Sequence, residues 1–149
     1  MAESPKLNPI GTYRNNLVTD LKARSNLSGV AIFKFPPVDD APEKEYIFVA
    51  DERSDIDRLA FGNKYDENFV INITCYATRA GAGDSVAADA RDRCVVFLNE
   101  IIDAINDDPT QSCVLDSRVA SYEADHGVNE YGRYTVIELT VAATATLQE

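Results

Sequence analysis

Apolar positions along the chain keep two different periods, and the changes between them mark out the elements. Ile10, Tyr13, Leu17 and Leu21 recur at helical spacing with Val18 beside them. Asn8 and Pro9 precede that stripe as a cap and a first-turn proline. The spacing predicts a helix that stops within residues 26–29 (NLSG). Residues 30–35 (VAIFKF) and 45–50 (EYIFVA) read as strands, and the acidic, proline-bearing stretch 36–44 between them predicts a long hairpin. Charged residues 51–57 read as loop, and residues 58–63 (RLAFGN) as an ambiguous segment, a short strand at most.

A period of two returns in residues 68–77 (NFVINITCYA). It places Phe69, Ile71, Ile73 and Cys75 on a core face and Val70, Asn72, Thr74 and Tyr76 on the other. Residues 81–84 (GAGD) break the strand, with Asp84 as the expected cap of a second helix. Ala87, Ala90, Cys94, Phe97, Leu98, Ile101 and Ile105 make its apolar face, and the helix should end near Asn106, before Asp107–Asp108–Pro109. Residues 114–123 and 134–147 read as two closing strands, with Ile137, Leu139, Val141, Ala143 and Ala145 alternating inward. The polar stretch 124–133 (ADHGVNEYGR) is expected to be the loop between them. The pattern therefore predicts an α+β fold: a mainly antiparallel sheet with two helices packed on one face, in the order α-β-β-(β)-β-α-β-β. Residues 1–149 are read as one domain with residues 1–7 as a flexible tail, a size that buries about two-thirds of its unfolded surface.

Charge narrows the function classes. With 25 acidic and 14 basic side chains the chain carries a formal −11, which repels a phosphate backbone and disfavours direct nucleic-acid binding. Residues 1–6 are too polar for a signal peptide, and no apolar run is long enough to span a membrane. Cys75, Cys94 and Cys113 are odd in number and widely spaced, and His126 is the one histidine, so reduced buried thiols are expected and no zinc site.

Other candidate chemistry is weak. GAGD lacks both the GxGxxG spacing and the lysine of a phosphate loop. Asp125–His126 adjoin in sequence, which does not supply the geometry of a catalytic dyad. The carboxylate pairs Asp39–Asp40, Asp51–Glu52, Asp66–Glu67 and Asp107–Asp108 lack the alternating oxygen ligands and central glycine of a divalent-ion loop. Tyr46, Phe48, Tyr65, Tyr122, Tyr131 and Tyr134 are scattered along the sequence without a basic patch, which argues against base stacking and for core or interface aromatics. No catalytic residue, metal or cofactor is expected. The two polar segments 36–44 and 124–133 are the expected contact loops, with Asp39, Asp40, Glu43 and Lys44 on the first and His126, Asn129, Glu130, Tyr131 and Arg133 on the second.

From residue 8 to residue 147 the order of elements resembles the tail terminator proteins of long-tailed bacteriophages. The resemblance is carried by the first helix (NNLVTDLKARSNL), the strands VAIFKF and EYIFVA, and the acidic entry into DENFVINITCYA. The helix RDRCVVFLNEIIDAI, the DDPT break and the closing YTVIELTVAATATL complete it. It implies a non-enzymatic structural protein of the virion, assembled in the host bacterial cytoplasm. Such a protein forms a six-membered ring on the tail tube, ends tube growth and meets the head-completion or connector protein. It also implies that DNA passes through the lumen unbound: six chains at −11 each bring −66. The alternatives are another neck or tail component, such as a head-completion or tail-tube protein, and, from a different class, a small ligand-binding domain or enzyme.

Elemental analysis of the purified protein should find no stoichiometric zinc and calorimetry no tight ATP binding; either one would overturn the cofactor-free reading.

Overall fold

A computed structural model of the protein describes residues 9–34, 45–58, 64–81, 83–111, 114 and 116–148. The chain runs α1 (Pro9–Lys22), a 3-10 turn (Ser25–Leu27), β1 (Ala31–Phe33), β2 (Glu45–Arg58), β3 (Lys64–Arg79), α2 (Asp84–Asp107), β4 (Asp116–Asn129) and β5 (Gly132–Gln148). The five strands form one sheet in the order β1-β2-β3-β5-β4. Every pairing is antiparallel except β1 with β2. The α+β class, the two helices and the mainly antiparallel sheet are as the sequence predicts.

Alternation along β3 and β5 creates the core. Phe69, Ile71, Ile73 and Cys75 of β3 and Ile137, Leu139, Val141, Ala143 and Ala145 of β5 are buried on one face. Ile10, Tyr13, Leu17, Val18 and Leu21 of α1 and Cys94, Phe97, Leu98, Ile101 and Ile105 of α2 join them in a single apolar cluster. Both helices therefore lie on the same face of the sheet. Tyr13 meets Phe69 edge-on at 5.7 Å between ring centres, and α2 comes close enough for the Cys94 thiol to donate to the Cys75 carbonyl at 3.3 Å. Each large apolar side chain buried this way contributes about 1.5–3 kcal/mol.

Four sequence expectations are corrected. The segments 30–35 and 45–50 do not form a hairpin: Ala31–Phe33 runs parallel to Tyr46–Phe48. Apolar alternation predicts a strand but carries no direction, and antiparallel pairing is only the commoner arrangement of neighbouring strands. Residues 51–57 are not loop but continue β2 past a bulge at Ala50/Glu52, paired with β3 as far as Arg58↔Tyr65. Residues 124–129 are likewise strand, which reduces the expected ten-residue loop at 124–133 to a turn at Glu130–Tyr131. Ladder hydrogen bonds to β3 and β5 hold these polar segments extended, and local composition does not register that partner. Arg58 closes β2, and the rest of the segment expected as a short strand, residues 59–63, lies outside the described residues. Finally, Gly83 and not Asp84 caps α2; Asp84 is its first residue, where a carboxylate favours the positive helix end.

Ion pairs fasten the helices to the sheet and to each other. Glu45 Oε2, at the start of β2, accepts from Arg79 Nη2 of β3 at 2.7 Å and from Arg93 Nε of α2 at 3.0 Å. Arg24, just past α1, reaches Glu100 at 3.1 Å and Asp107 at 3.4 Å on α2, and the Asn26 amide also donates to Glu100. The start of β4 and the loop after α2 are tied to α1, where Tyr13 Oη donates to Ser117 Oγ at 2.8 Å and Asn16 Nδ2 to the Gln111 carbonyl.

Burial alone would raise the Glu45 carboxyl, but hydrogen bonds and charge from Arg93 and Arg79 outweigh it and hold it below the ordinary range. At Glu100 the Asn26 hydrogen bond acts first against burial, and Arg24 adds to it, with the same net lowering. Groups depressed in the folded state contribute stability above their unfolded pKa and lose it as pH falls through the folded value. Glu45→Gln should therefore cost about 1 kcal/mol at neutral pH, discounted for partial exposure, and flatten the acid limb of the stability curve. Denaturant melts from pH 7 down to about pH 3 test this across the carboxylate range; a wild-type acid limb in the variant would contradict it.

Candidate functional site

Covering one face of the sheet leaves the other open, and the alternation that buries Ile71, Ile73, Ile137 and Leu139 turns a distinct set of side chains outward. On β3 and β5 these are Asn68, Asn72, Thr74 and Tyr76 with Tyr134, Val136, Glu138, Thr140 and Thr144. Thr140 donates to Asn72 at 3.2 Å and Thr144 to Asn68 at 2.9 Å, each across a direct register pair. A bulge at Val119/Ser121 shifts β4 by one residue, so that Val119 still faces the helices while Ser121, Glu123 and Asp125 face outward.

Toward the hairpin end this face becomes aromatic. Phe33, Tyr46, Tyr76 and Tyr134 come from β1, β2, β3 and β5 and form a ladder. Ring centres lie 6.2 Å apart for Phe33–Tyr46, 4.9 Å for Tyr46–Tyr76 and 5.8 Å for Tyr76–Tyr134, the last two pairs stacked. Each such contact adds about 0.5–1.5 kcal/mol beyond its buried area. Tyr134 lies over Gly127 of β4, where any Cβ would collide with the phenol ring. Burial raises the Tyr46 phenol above its ordinary value, and Tyr76 adds to the effect.

The residues expected on the second contact loop are brought together, on strands and a turn. His126 pairs with Thr135, its Nδ1 2.9 Å from Thr135 Oγ1. Asn129 ends β4, donating from Nδ2 to the Tyr76 hydroxyl at 3.0 Å while its Oδ1 accepts from the Tyr131 N–H at 2.9 Å. Glu130 and Tyr131 form the exposed turn. Arg133 pairs with Val128 and Arg79, and its carbonyl accepts from Thr78 Oγ1. The first set, Asp39, Asp40, Glu43 and Lys44, lies outside the described residues. Sequence reading missed the ladder: Tyr46, Tyr76 and Tyr134 are far apart in the chain, and only the strand register brings them together.

Depressions on the open face include two beside Glu138. One, of about 470 Å³, is lined by Asn72, Thr74, Ser121, Tyr122, Glu123, Glu138 and Thr140. The other, of about 410 Å³, is lined by Glu123, Ala124, Asp125, Tyr134, Val136 and Glu138. Both are acidic and partly open to solvent, short of the near-complete enclosure by which a small-molecule site buries its ligand. Among the described residues no three His, Cys, Asp or Glu side chains gather as a metal site requires. Burial pushes the Cys94 thiol up to about 12 and the Cys75 thiol well above its ordinary value, which keeps both protonated and poor nucleophiles.

No protein-family model matches the chain, and no curated protein matches it. Among solved structures, a chain from the virion of a native gene transfer agent particle is similar, with a TM-score of 0.62 and 14% sequence identity. The likeness covers 93% of this chain and 98% of that one. At this identity the two share a fold.

The hairpin end depends on Gly132, whose φ of +127° and close approach to the Arg79 carbonyl leave no room for a Cβ. Gly132→Ala should destabilise the fold by about 1–3 kcal/mol. Chemical denaturation measures this, and an unchanged midpoint would refute the assigned turn geometry.

Proposed function

We propose that the chain is a structural protein of a phage-type virion and, more specifically, a tail terminator. In this role copies of the chain close into a six-membered ring on the tail tube, end its growth and present a surface to the head-completion or connector protein. The observation that carries the virion reading is the end-to-end fold match with a chain of the gene transfer agent virion, which leaves little of either chain unmatched. The order of elements carries the narrower assignment. The charge fits it: −11 per chain keeps transiting DNA from adhering to the ring. The sheet fits it as well, because among the described residues its open face presents polar and aromatic side chains that contact with another copy can cover. Among the described residues no helix is long and apolar enough to cross a membrane. The virion is the proposed location, with assembly in the host bacterial cytoplasm.

A head-completion or tail-tube protein is the second reading, favoured by the same fold match, which does not separate neck and tail components. An enzyme or ligand-binding domain is disfavoured by the partly open depressions and the protonated thiols.

Negative-stain images of tail tubes mixed with the protein should show a cap at one end of each tube. Repulsion between acidic copies is screened over about 8 Å at physiological salt. Light scattering should therefore show mass rising toward a ring as salt and protein concentration increase. Bare tubes, or single copies bound along tube walls, would sink the terminator assignment.

A further inference from the structure

We propose that the outer edge of β4 is a docking site for an extended segment of a partner protein whose residues alternate basic and apolar, added to the sheet as a further strand. Two helices cannot cover five strands. α2 seats Cys94 against the carbonyls of Cys75 and Thr135 on β3 and β5, and beyond Val119 the helix-side face of β4 is bare. Tyr122, Ala124, His126 and Val128 alternate along that bare face, each exposed. Tyr122 and Val128 are 60% and 57% exposed, and with Tyr131 of the adjoining turn they are the large exposed hydrophobics among the described residues. All three belong to one hairpin at one edge of the sheet.

Among the described residues β4 is the last strand of the sheet, and the backbone groups on its outer side have no ladder partner there. One of its donors is held locally, since the His126 N–H donates to Asp125 Oδ1 at 2.9 Å. An added strand would place one set of its side chains beside Tyr122, Ala124 and Val128 and the other beside Ser121, Glu123 and Asp125.

Charge decides the occupant. Glu123 stands directly across from Glu138 on β5, and like charges directly opposite destabilise a sheet. None of the ion pairs among the described residues brings a lysine or arginine to Glu123, Asp125 or Glu138. A locally unfavourable arrangement of this kind is typical of a site completed by something else. Basic side chains at alternate positions of the incoming strand supply the missing counter-charge, and apolar ones cover Tyr122 and Val128. A second copy of the chain would bring another −11 to an acidic edge, and DNA would be repelled in the same way. The inference rests on the virion reading only for the source of the partner, another virion protein.

The probe is a short labelled peptide of alternating lysine and valine, compared with a peptide of the same composition in which the lysines and valines are blocked together. Binding to the full chain is read by fluorescence polarisation at low and high salt, and the contact is located by amide exchange. The alternating peptide should bind about tenfold tighter than the blocked one and protect amides of residues 121–128. The double variant Glu123→Gln/Glu138→Gln should weaken it about fivefold without lowering the melting temperature. Equal binding of the two peptides, unchanged affinity in the variant, or protection elsewhere would overturn the proposal. So would a variant that alters self-association and leaves peptide binding intact, since the occupant would then be a second copy. Peptide binding that persists while tube capping fails would leave this site standing and remove the terminator assignment.

Discussion

The helix-side face of β3 and β5 is buried beneath α1 and α2, and the position of every other feature follows from that contact. Phe69, Ile71 and Ile73 on one strand and Ile137, Leu139 and Val141 on its neighbour form an apolar floor, and Tyr13, Leu17, Phe97 and Ile101 come down on it from above. The helices are sized and placed for the centre of the sheet. Strands at the centre therefore show strict inside–outside alternation, and β4 at the margin is exposed on both of its faces over residues 120–126. The same packing dictates which side chains face away: once the floor is fixed, Tyr76, Tyr134, Glu138 and Thr140 have only the open face to occupy.

Ion pairs fasten this arrangement at its rim, and the interior is mainly apolar, with Glu67, Ser117 and Thr135 among its few buried polar groups. Glu45 joins the start of β2 to the end of β3 and to α2, and Arg24 with Asn26 joins the end of α1 to Glu100. These contacts sit where the chain leaves one layer for the other, the places that apolar burial fixes least. Arg93 serves both kinds of packing, with its guanidinium on Glu45 and at 4.8 Å from the centre of the Phe97 ring. Among the described residues, Glu123, Asp125 and Glu138 on β4 and β5 have no such ion-pair partner.

The hairpin end combines rigidity with exposure. Its turn is held by Gly132 and by Asn129, which links the Tyr131 backbone to the Tyr76 hydroxyl. The aromatic ladder then carries the position of that turn across the sheet to Phe33. Tyr131 and Glu130 are thus presented on a fixed support. The proposed function needs no buried catalytic group, and the chemistry of the described residues runs toward surfaces.

How much was legible in the sequence differs element by element. The stripe Ile10–Tyr13–Leu17–Leu21, the alternation Phe69–Ile71–Ile73–Cys75 and the long apolar face of α2 are local periodicities. They determined by themselves the helices, the central strands, the core and the α+β class. Composition likewise determined the acidic surface. The direction of β1, the strand character of residues 51–57 and 124–129, the Tyr46–Tyr76–Tyr134 stack and the facing pair Glu123–Glu138 were decided only by the tertiary structure. Each depends on which residue stands opposite across a ladder, and a register is set by backbone hydrogen bonds between segments distant in sequence. A single chain's pattern of apolar and polar positions records which side a residue faces, and it carries nothing about the neighbour it faces there.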